Sequence, residues 1–169
     1  MSRTDTVERY AAAVQGRVEA LAKAHGMLSE RRWREVPLAK LIEAELQPFS
    51  NGRVRLAGPP IALPSSLVQP IALLIYELVA NAAEHGALSN IEGRVSIDWQ
   101  EDSASERLVI RWRENGGPPP SELRDAGFGS RLITAIVERQ LRGTTKLEWH
   151  PGGLVGEFSV PIRRLASQF

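Results

Sequence analysis

Residues 65–86 read SSLVQPIALLIYELVANAAEHG and predict the central helix of the fold. Pro64 and the two serines after it form a typical helix start, and Gly86 is a typical helix end. At roughly 100° per residue, apolar side chains recur along one broad face of this helix. They are Leu67, Ile71, Leu74, Leu78 and Ala82. We therefore expect a helix over about 66–84 that packs in the core through this face.

Polar side chains run along the edge of the same face. Glu77, Asn81 and Glu84 lie within roughly 60° of one another around the predicted helix. A carboxylate and an amide four residues apart can converge on one cation or one water molecule. Magnesium suits this pattern, because it takes oxygen ligands, needs few of them from the protein and fills the rest with water and phosphate oxygens. A solvent-exposed helix rim is the alternative interpretation of the same three residues.

The remainder of the chain alternates between strand and helix signals. Runs of alternating apolar and polar residues predict strands near 53–56, 94–99, 107–112, 144–149 and 155–162, and a further helix over about 130–141. The order of these elements predicts a two-layer α/β sandwich, in which helices cover one face of a mixed sheet.

The N-terminal stretch predicts a long helix, because no proline interrupts residues 4–31. Large or apolar side chains recur there at spacings of three and four, close to the seven-residue pattern of a helical bundle. They are Val7, Tyr10, Val14, Val18, Leu21, His25 and Leu28. With one apolar face, this helix needs a partner, either the rest of the chain or a second copy, and His25 is interpreted as a packed side chain. We divide the chain into a helical dimerisation segment, 1–48, and an α/β domain, 49–169.

Composition limits the classes of function. The 169 residues are 43% hydrophobic, and 21 basic residues almost balance 20 acidic ones, which leaves a net charge of +1. This balance argues against nucleic-acid binding and against an anionic membrane surface, since both usually need a cationic excess. The absence of cysteine excludes disulfides, thiolate metal sites and a cysteine nucleophile. The polar N-terminus lacks the pattern of a signal peptide and polar residues interrupt the most apolar stretch, so we expect a cytoplasmic protein without a membrane span in this chain.

Two glycine clusters follow the strand predicted at 107–112. Glu114-Asn115-Gly116-Gly117 ends this strand, and Gly127-Phe128-Gly129-Ser130-Arg131 leads into the next helix. Glycines let backbone amides approach a phosphate closely, and a helix N-terminus offers unpaired N–H groups. Glu114 is placed to accept a hydrogen bond from a group such as an exocyclic amine. The order of these clusters after the helix with Glu77 and Asn81 is more specific than either cluster alone.

Together, Glu77-x-x-x-Asn81, Glu114-Asn115-Gly116 and Gly127-x-Gly129 resemble the N, G1 and G2 boxes of the GHKL ATPases, which have the Bergerat fold. More closely, the chain is similar to the HWE histidine kinases of bacterial two-component signalling over about 16–161. Trp112-Arg113-Glu114 matches the Trp-x-Glu that helps to name that family. The stretches RRWREVPLAKLIEAELQPF, NAAEHGALS and RWRENGGPP are also typical of it.

The resemblance implies a site for ATP and Mg²⁺. Asn81 would bind Mg²⁺, and Glu77 would support the metal or its water, so that these two residues form the catalytic pair. Glu114 would hold the adenine amino group, where relatives carry an aspartate. The other ATP-binding residues would be Gly116, Gly117, Gly127, Gly129, Ser130 and Arg131, with a short lid over 118–126. Trp112 is interpreted as a core side chain, since it continues the inward alternation of its strand.

Three features depart from the family pattern. Tyr76 stands where the family's histidine precedes the glutamate, and Glu84 stands where many histidine kinases carry a phosphate-contacting lysine. A carboxylate beside a triphosphate would repel it unless it is turned away or bound to metal. The box with the phospho-accepting histidine is expected to precede the helix at 4–31 and therefore to lie outside this chain.

The resemblance predicts the ATP-binding catalytic region of a two-component sensor histidine kinase. It would transfer the γ-phosphoryl group of Mg·ATP to a histidine supplied in trans or by a missing N-terminal segment. A downstream response regulator and a second copy of the chain are the expected protein partners. Two alternatives stay open: Glu84-His85 also resembles anti-sigma-factor serine kinases, and Tyr76 with the missing acceptor box suits a non-catalytic, nucleotide-binding dimeric adaptor.

Overall fold

The computed structural model of the protein describes residues 3–49, 51–119 and 128–162. For residues 128 and 129 it describes the backbone alone. The helices are α1 (Arg3–Glu30), α2 (Leu38–Leu46), α3 (Ser65–Glu84) and α4 (Phe128–Ala135), which continues as π-helix over Ile136–Gln140. The strands are β1 (Glu35–Pro37), β2 (Val54–Ala57), β3 (Ala62–Pro64), β4 (Arg94–Asp102), β5 (Arg107–Asn115), β6 (Thr144–His150) and β7 (Gly153–Pro161). Short 3₁₀ turns follow α2 at Gln47–Phe49 and α3 at Ala87–Ser89.

The main sheet is mixed, as predicted. Its five strands lie in the order β2-β4-β5-β7-β6. β2 runs parallel to β4, and the other neighbours are antiparallel. A separate two-stranded sheet pairs β1 with β3. The two-layer sandwich, with its helices on one face of the sheet and an N-terminal helix before it, is confirmed.

The period-two pattern separates the two faces of the sheet. Side chains such as Ile97, Ile110 and Phe158 are buried against the helices. On the opposite face, Arg111 donates hydrogen bonds to Glu157 at 3.1 Å and to Asp98 at 3.5 Å across three neighbouring strands. Alternate residues therefore meet either apolar helices or solvent, which is the reason for the alternation in the sequence.

The helix α3 is the core of the helical layer. Four of the five residues on its predicted apolar face are completely buried, and Leu67 is partly buried. By length and composition alone, α3 is apolar enough to cross a bilayer. Half of its most apolar window is instead buried inside the protein, so its apolar character is explained by the core.

The helix α1 packs through a different face from the predicted stripe. Its buried residues are Ala20, Ala24 and Leu28, whereas the N-terminal part of the stripe is exposed at Val7, Tyr10, Val14 and Val18. Small side chains allow α1 to approach α3 closely, and the contact therefore follows alanines rather than the larger residues. The interpretation of His25 as a packed side chain is wrong: it is exposed, and its ring meets the edge of the Trp33 ring at a centroid distance of 4.8 Å.

One hydrophobic core spans the proposed division of the chain. Leu41 and Ile42 of α2 belong to the same buried cluster as Leu63 of β3 and Ile75 of α3. Residue 48 marks a change in sequence pattern, and the division into 1–48 and 49–169 remains a prediction about domains.

Candidate functional site

Asn81 lies in the last turns of α3, at the edge of the buried face, and is partly exposed. Its backbone carbonyl accepts the N–H groups of His85 and Gly86, at 2.9 and 3.1 Å, which closes the end of the helix. Its side-chain amide makes no hydrogen bond to another residue within 3–49, 51–119 and 128–162. The amide oxygen of a partly exposed asparagine that these residues do not engage suits a ligand of a hard cation.

Glu77, one turn before Asn81, is buried and only 3% exposed. Its carboxylate is held by Arg17 of α1, with Nε to Oε1 at 2.5 Å and Nη2 to Oε2 at 3.4 Å. This hydrogen bond is also the largest influence on Arg17, whose guanidinium pKa it raises. Both oxygens of Glu77 therefore face a guanidinium, and Arg17 is a site residue that the sequence pattern did not reveal.

A glycine marks the place where α1 meets α3. A Cβ on Gly16 would overlap the hydroxyl of Tyr76, so the tyrosine ring lies directly against the backbone of α1. The pKa of Tyr76 is raised, first by burial and then by the negative charge of Glu77. Glycine inside a helix costs roughly 0.5–1 kcal/mol relative to alanine, and an interior glycine is therefore the one sequence signal that could have pointed to this contact.

Glu114, at the end of β5, is also buried, with 4% of its surface exposed. Its Oε1 accepts the backbone N–H of Ala87 at 2.8 Å, and its Oε2 accepts the indole N–H of Trp112 at 3.0 Å. Trp112 is completely buried, which confirms its interpretation as a core residue. The Trp-x-Glu motif thus has a direct structural meaning: alternate residues of one strand share a hydrogen bond, and the glutamate holds the start of the turn after α3.

Glycines surround this contact. A Cβ at Gly86 would overlap Oε1 of Glu114, and a Cβ at Gly93 would overlap the carbonyl oxygen of Ala87. At Gly117, a Cβ would lie 2.8 Å from the backbone nitrogen of Ala87. Gly116 has a φ of +74°, which favours glycine. Because Gly117 has no side chain, the segment just after β5 can lie close to the 86–87 backbone. Nucleotide contacts of Gly116, Gly117 and Glu114 remain predictions.

The second glycine cluster is only partly described. Gly127 and most of the predicted lid lie outside the described residues. Gly129 and Ser130 are in the first turn of α4, which begins at Phe128 and so includes Gly129, although the sequence predicts a helix only from about 130. Ser130 is partly buried, and Arg131 is exposed. Ser130 and Arg131 line a groove of about 700 Å³ together with Leu147 and Trp149 of β6. Asn81 and Glu114 are not among the described residues that line this groove.

The donor groups fit Mg²⁺ only in part. Among residues 3–49, 51–119 and 128–162, no cluster of three or more His, Cys, Asp or Glu side chains could hold a metal ion. A magnesium ion with one amide ligand from Asn81 and further oxygens from phosphate and water is compatible with this arrangement. Glu77 is placed to join it only if its carboxylate leaves Arg17. Glu84 is 62% exposed at its side chain and lies 3.5 Å from His85, so it is turned to solvent.

Comparisons with known proteins agree with this architecture. The sequence profile of the HWE histidine kinases matches residues 1–60. A blue-light-activated histidine kinase of Rhizobium johnstonii is 42% identical over 161 residues, which cover 95% of this chain and 47% of that protein. One from Brucella anthropi is 32% identical over 151 residues, covering 86% of this chain and 31% of the relative. The chain thus spans about half the length, or less, of these curated relatives.

Solved structures show the same fold. The histidine kinase domain of a blue-light-activated kinase from Erythrobacter litoralis superposes with a TM-score of 0.71 at 21% identity, over 88% of this chain and 74% of that one. The histidine kinase ThkA, solved in complex with the response regulator protein TrrA, gives a TM-score of 0.55 at 17% identity, over 96% of this chain and 53% of that one. The curated relatives are histidine kinases and the solved structures share the fold, and residues 1–60 of this chain match the HWE histidine kinase family.

Proposed function

We propose that this chain is the ATP-binding catalytic region of a two-component sensor histidine kinase. The observation that carries the proposal is the position of Asn81, a partly exposed residue in the last turns of the core helix, and Glu114 of β5 holds the backbone just after that helix. The proposed substrates are Mg·ATP and a histidine side chain. The chain would act in the cytoplasm, as a homodimer, and pass its phosphoryl group to a response regulator.

The proposed reaction joins an imidazole nitrogen of the acceptor to the γ-phosphorus and breaks the bond from that phosphorus to the β–γ bridging oxygen. ADP leaves, and the imidazole N–H proton is released. Mg²⁺, when bound, would neutralise the charge of the phosphate oxygens. Because the transition state of phosphoryl transfer is loose, the protein contributes mainly position and charge stabilisation.

The residues of this chain supply the positions. Asn81 would offer its amide oxygen to the cation, and its place on a buried helix limits the movement of that oxygen. Glu114 would reach the adenine amino group from a carboxylate that Trp112 and Ala87 already orient. A carboxylate accepts more hydrogen bonds than the two these donors use, so the proposed contact is compatible with its present partners. The first turn of α4, with Gly129 and Ser130, would present N–H groups to the phosphates.

Calorimetry of Mg·ATP binding tests the site. Asn81→Ala is expected to reduce the Mg²⁺-dependent part of the affinity at least about tenfold, which is about 1.4 kcal/mol. Asn51→Ala, the same substitution at an exposed turn before β2, serves as the control and should bind like the wild type. Undiminished Mg·ATP affinity in Asn81→Ala would contradict the site assignment.

The type of phosphorylated residue distinguishes the alternatives. Labelled ATP would be incubated with the chain and with a candidate acceptor helix that contains a histidine. Acid-labile phosphate on the acceptor supports the histidine kinase, and acid-stable phosphate on a partner supports a serine kinase. No rise of the melting temperature at a large excess of Mg·ATP would exclude a nucleotide-binding protein altogether, since a bound ligand must stabilise the fold.

A further inference from the structure

The contact between α1 and α3 places an arginine of the helical segment on a carboxylate of the proposed catalytic pair. Arg17 covers both oxygens of Glu77, and Glu77 is one helical turn from Asn81. We propose that the Arg17–Glu77 ion pair is an autoinhibitory contact, in which α1 withholds Glu77 from the metal–nucleotide site. Docking of α1 and binding of Mg·ATP then oppose each other. This inference rests on the proposed function.

The contact has the features of a specific interface between the two helices. Gly16 provides the space for the Tyr76 ring, and the next residue, Arg17, reaches Glu77, the next residue of α3. One turn further along α1, Ala20 is buried with 1% of its surface exposed. Two consecutive residues of α1, Gly16 and Arg17, therefore contact two consecutive residues of α3, and this contact fixes the register of the two helices.

The charges explain why the two states exclude each other. Glu77 is buried, and a buried carboxylate without a partner is strongly destabilising, so it needs a cation in each state. With Arg17 in place, the charges of the pair cancel. Moving Mg²⁺ to the same carboxylate would put a divalent cation beside the guanidinium, and two like-signed groups a few ångströms apart repel each other strongly in a partly buried site. Glu77 therefore serves either Arg17 or the metal and its water.

Thermodynamic linkage makes the effect reciprocal. If docked α1 lowers the affinity for Mg·ATP by some factor, Mg·ATP must weaken the docking of α1 by the same factor. Couplings of this kind are typically about 5- to 150-fold. Arg17 acts here as a positioning residue, because it controls the direction of the Glu77 carboxylate and is not proposed to touch the nucleotide.

Two measurements on the full chain test the proposal. Calorimetry would compare the wild type with Arg17→Gln, using a non-hydrolysable ATP analogue in the presence of Mg²⁺ and in EDTA. Hydrogen exchange would follow the α1 amides with and without the same Mg²⁺–analogue complex. Arg9→Gln removes an exposed cation from the same helix and is the matched control.

The proposal expects Arg17→Gln to bind the Mg²⁺–analogue complex at least about fivefold more tightly. Its affinity in EDTA should not change, and Arg9→Gln should match the wild type in both conditions. In the wild type, the complex should accelerate exchange of α1 amides by a comparable factor. In Arg17→Gln, these amides should exchange rapidly at the start and respond little to the complex.

The outcomes separate this proposal from the function on which it rests. Failure of the wild type to bind Mg·ATP at all refutes the proposed function and the coupling with it. Binding without any change in α1 exchange, or with greater protection of α1, refutes the coupling alone. If Arg17→Gln does not fold, the exchange experiment on the wild type still decides the question, and Arg17→Lys, which keeps the charge but loses the planar fork, should give a smaller gain in affinity.

Discussion

Replacing Trp112 by phenylalanine tests the structural role of the Trp-x-Glu motif. In the wild type, the buried indole N–H donates to the Glu114 carboxylate at 3.0 Å. Phenylalanine keeps an aromatic ring at position 112 but removes the donor. The backbone N–H of Ala87, on the other carboxylate oxygen, is unchanged.

The expected cost follows from the charge of the acceptor. A hydrogen bond to a charged group contributes about 1.5–3 kcal/mol, compared with about 0.5–1.5 kcal/mol between neutral groups. The smaller ring also loses buried apolar surface, worth about 1 kcal/mol at 25 cal/mol per Å². We expect Trp112→Phe to lower the free energy of unfolding by about 3 kcal/mol.

Trp99 provides a matched control in the same sheet. It is 5% exposed, and its indole N–H donates to the neutral carbonyl of Pro59 at 2.9 Å. Trp99→Phe loses the same ring area with a neutral acceptor, so we expect a cost smaller by about 1 kcal/mol. Urea unfolding followed by far-UV circular dichroism would measure both variants, with unchanged m-values as evidence that only stability differs.

A double-mutant cycle isolates the contact. With Glu114→Gln as the background, the acceptor is neutral, and Trp112→Phe should cost about 1 kcal/mol less than in the wild type. Two results together would refute the argument that a charged hydrogen bond orients Glu114. Trp112→Phe would lower the free energy of unfolding equally in the wild type and in Glu114→Gln, and Trp99→Phe would lower it as much as Trp112→Phe.

Two further predictions concern packing and protonation. Gly93→Ala should lower the free energy of unfolding by about 2 kcal/mol or more, because its Cβ would overlap the Ala87 carbonyl. Gly26→Ala should raise it by about 0.5–1 kcal/mol, because nothing lies within 4 Å of the new Cβ. Urea unfolding of both variants would measure the two effects. Burial raises the pKa of Glu45, and Lys23 partly offsets this. When the pKa of a group is higher in the folded protein than in the unfolded chain, protonation favours folding at pH values below the unfolded-state pKa. This stabilisation is lost as the pH rises through the folded-state pKa. Glu45→Gln should therefore stabilise the protein at pH 7 by roughly 0.5 kcal/mol, and the stabilisation should be smaller at acidic pH. Melting curves between pH 4 and pH 7 in which the stabilisation does not decrease towards acidic pH would contradict this.

The local pattern of the chain was enough to locate the five strands of the main sheet and the helices α1, α3 and α4, but it did not predict the short strands β1 and β3. The strands predicted near 94–99 and 107–112 are both present, and each extends three residues further. Their antiparallel register, from Arg94 opposite Asn115 to Asp102 opposite Arg107, explains the extra length. A strand continues for as long as its neighbour offers hydrogen-bond partners, and this information is not contained in its own alternation.

The packing of α1 and the environment of Glu77 could not be predicted in the same way. The stripe from Val7 to Val18 has the spacing of a buried face, but the structure exposes it and buries alanines instead. Arg17 and Glu77 are 60 positions apart, and no helical or strand period relates them. Many arginines in the chain could have been the partner of a buried carboxylate, and only the crossing of α1 over α3 selects one.

Spacing along the chain was sufficient to put Glu77 and Asn81 on one helix and Glu114 at the end of a strand, because helix and strand periods are properties of the local backbone. The partners of these side chains depend on long-range packing. The fold pairs Glu77 with Arg17, joins Glu114 to Trp112 and Ala87, and leaves Asn81 partly exposed. A buried carboxylate must find a donor or a cation wherever the fold brings one, so residue identity predicts the need for a partner and three-dimensional packing determines which partner meets it.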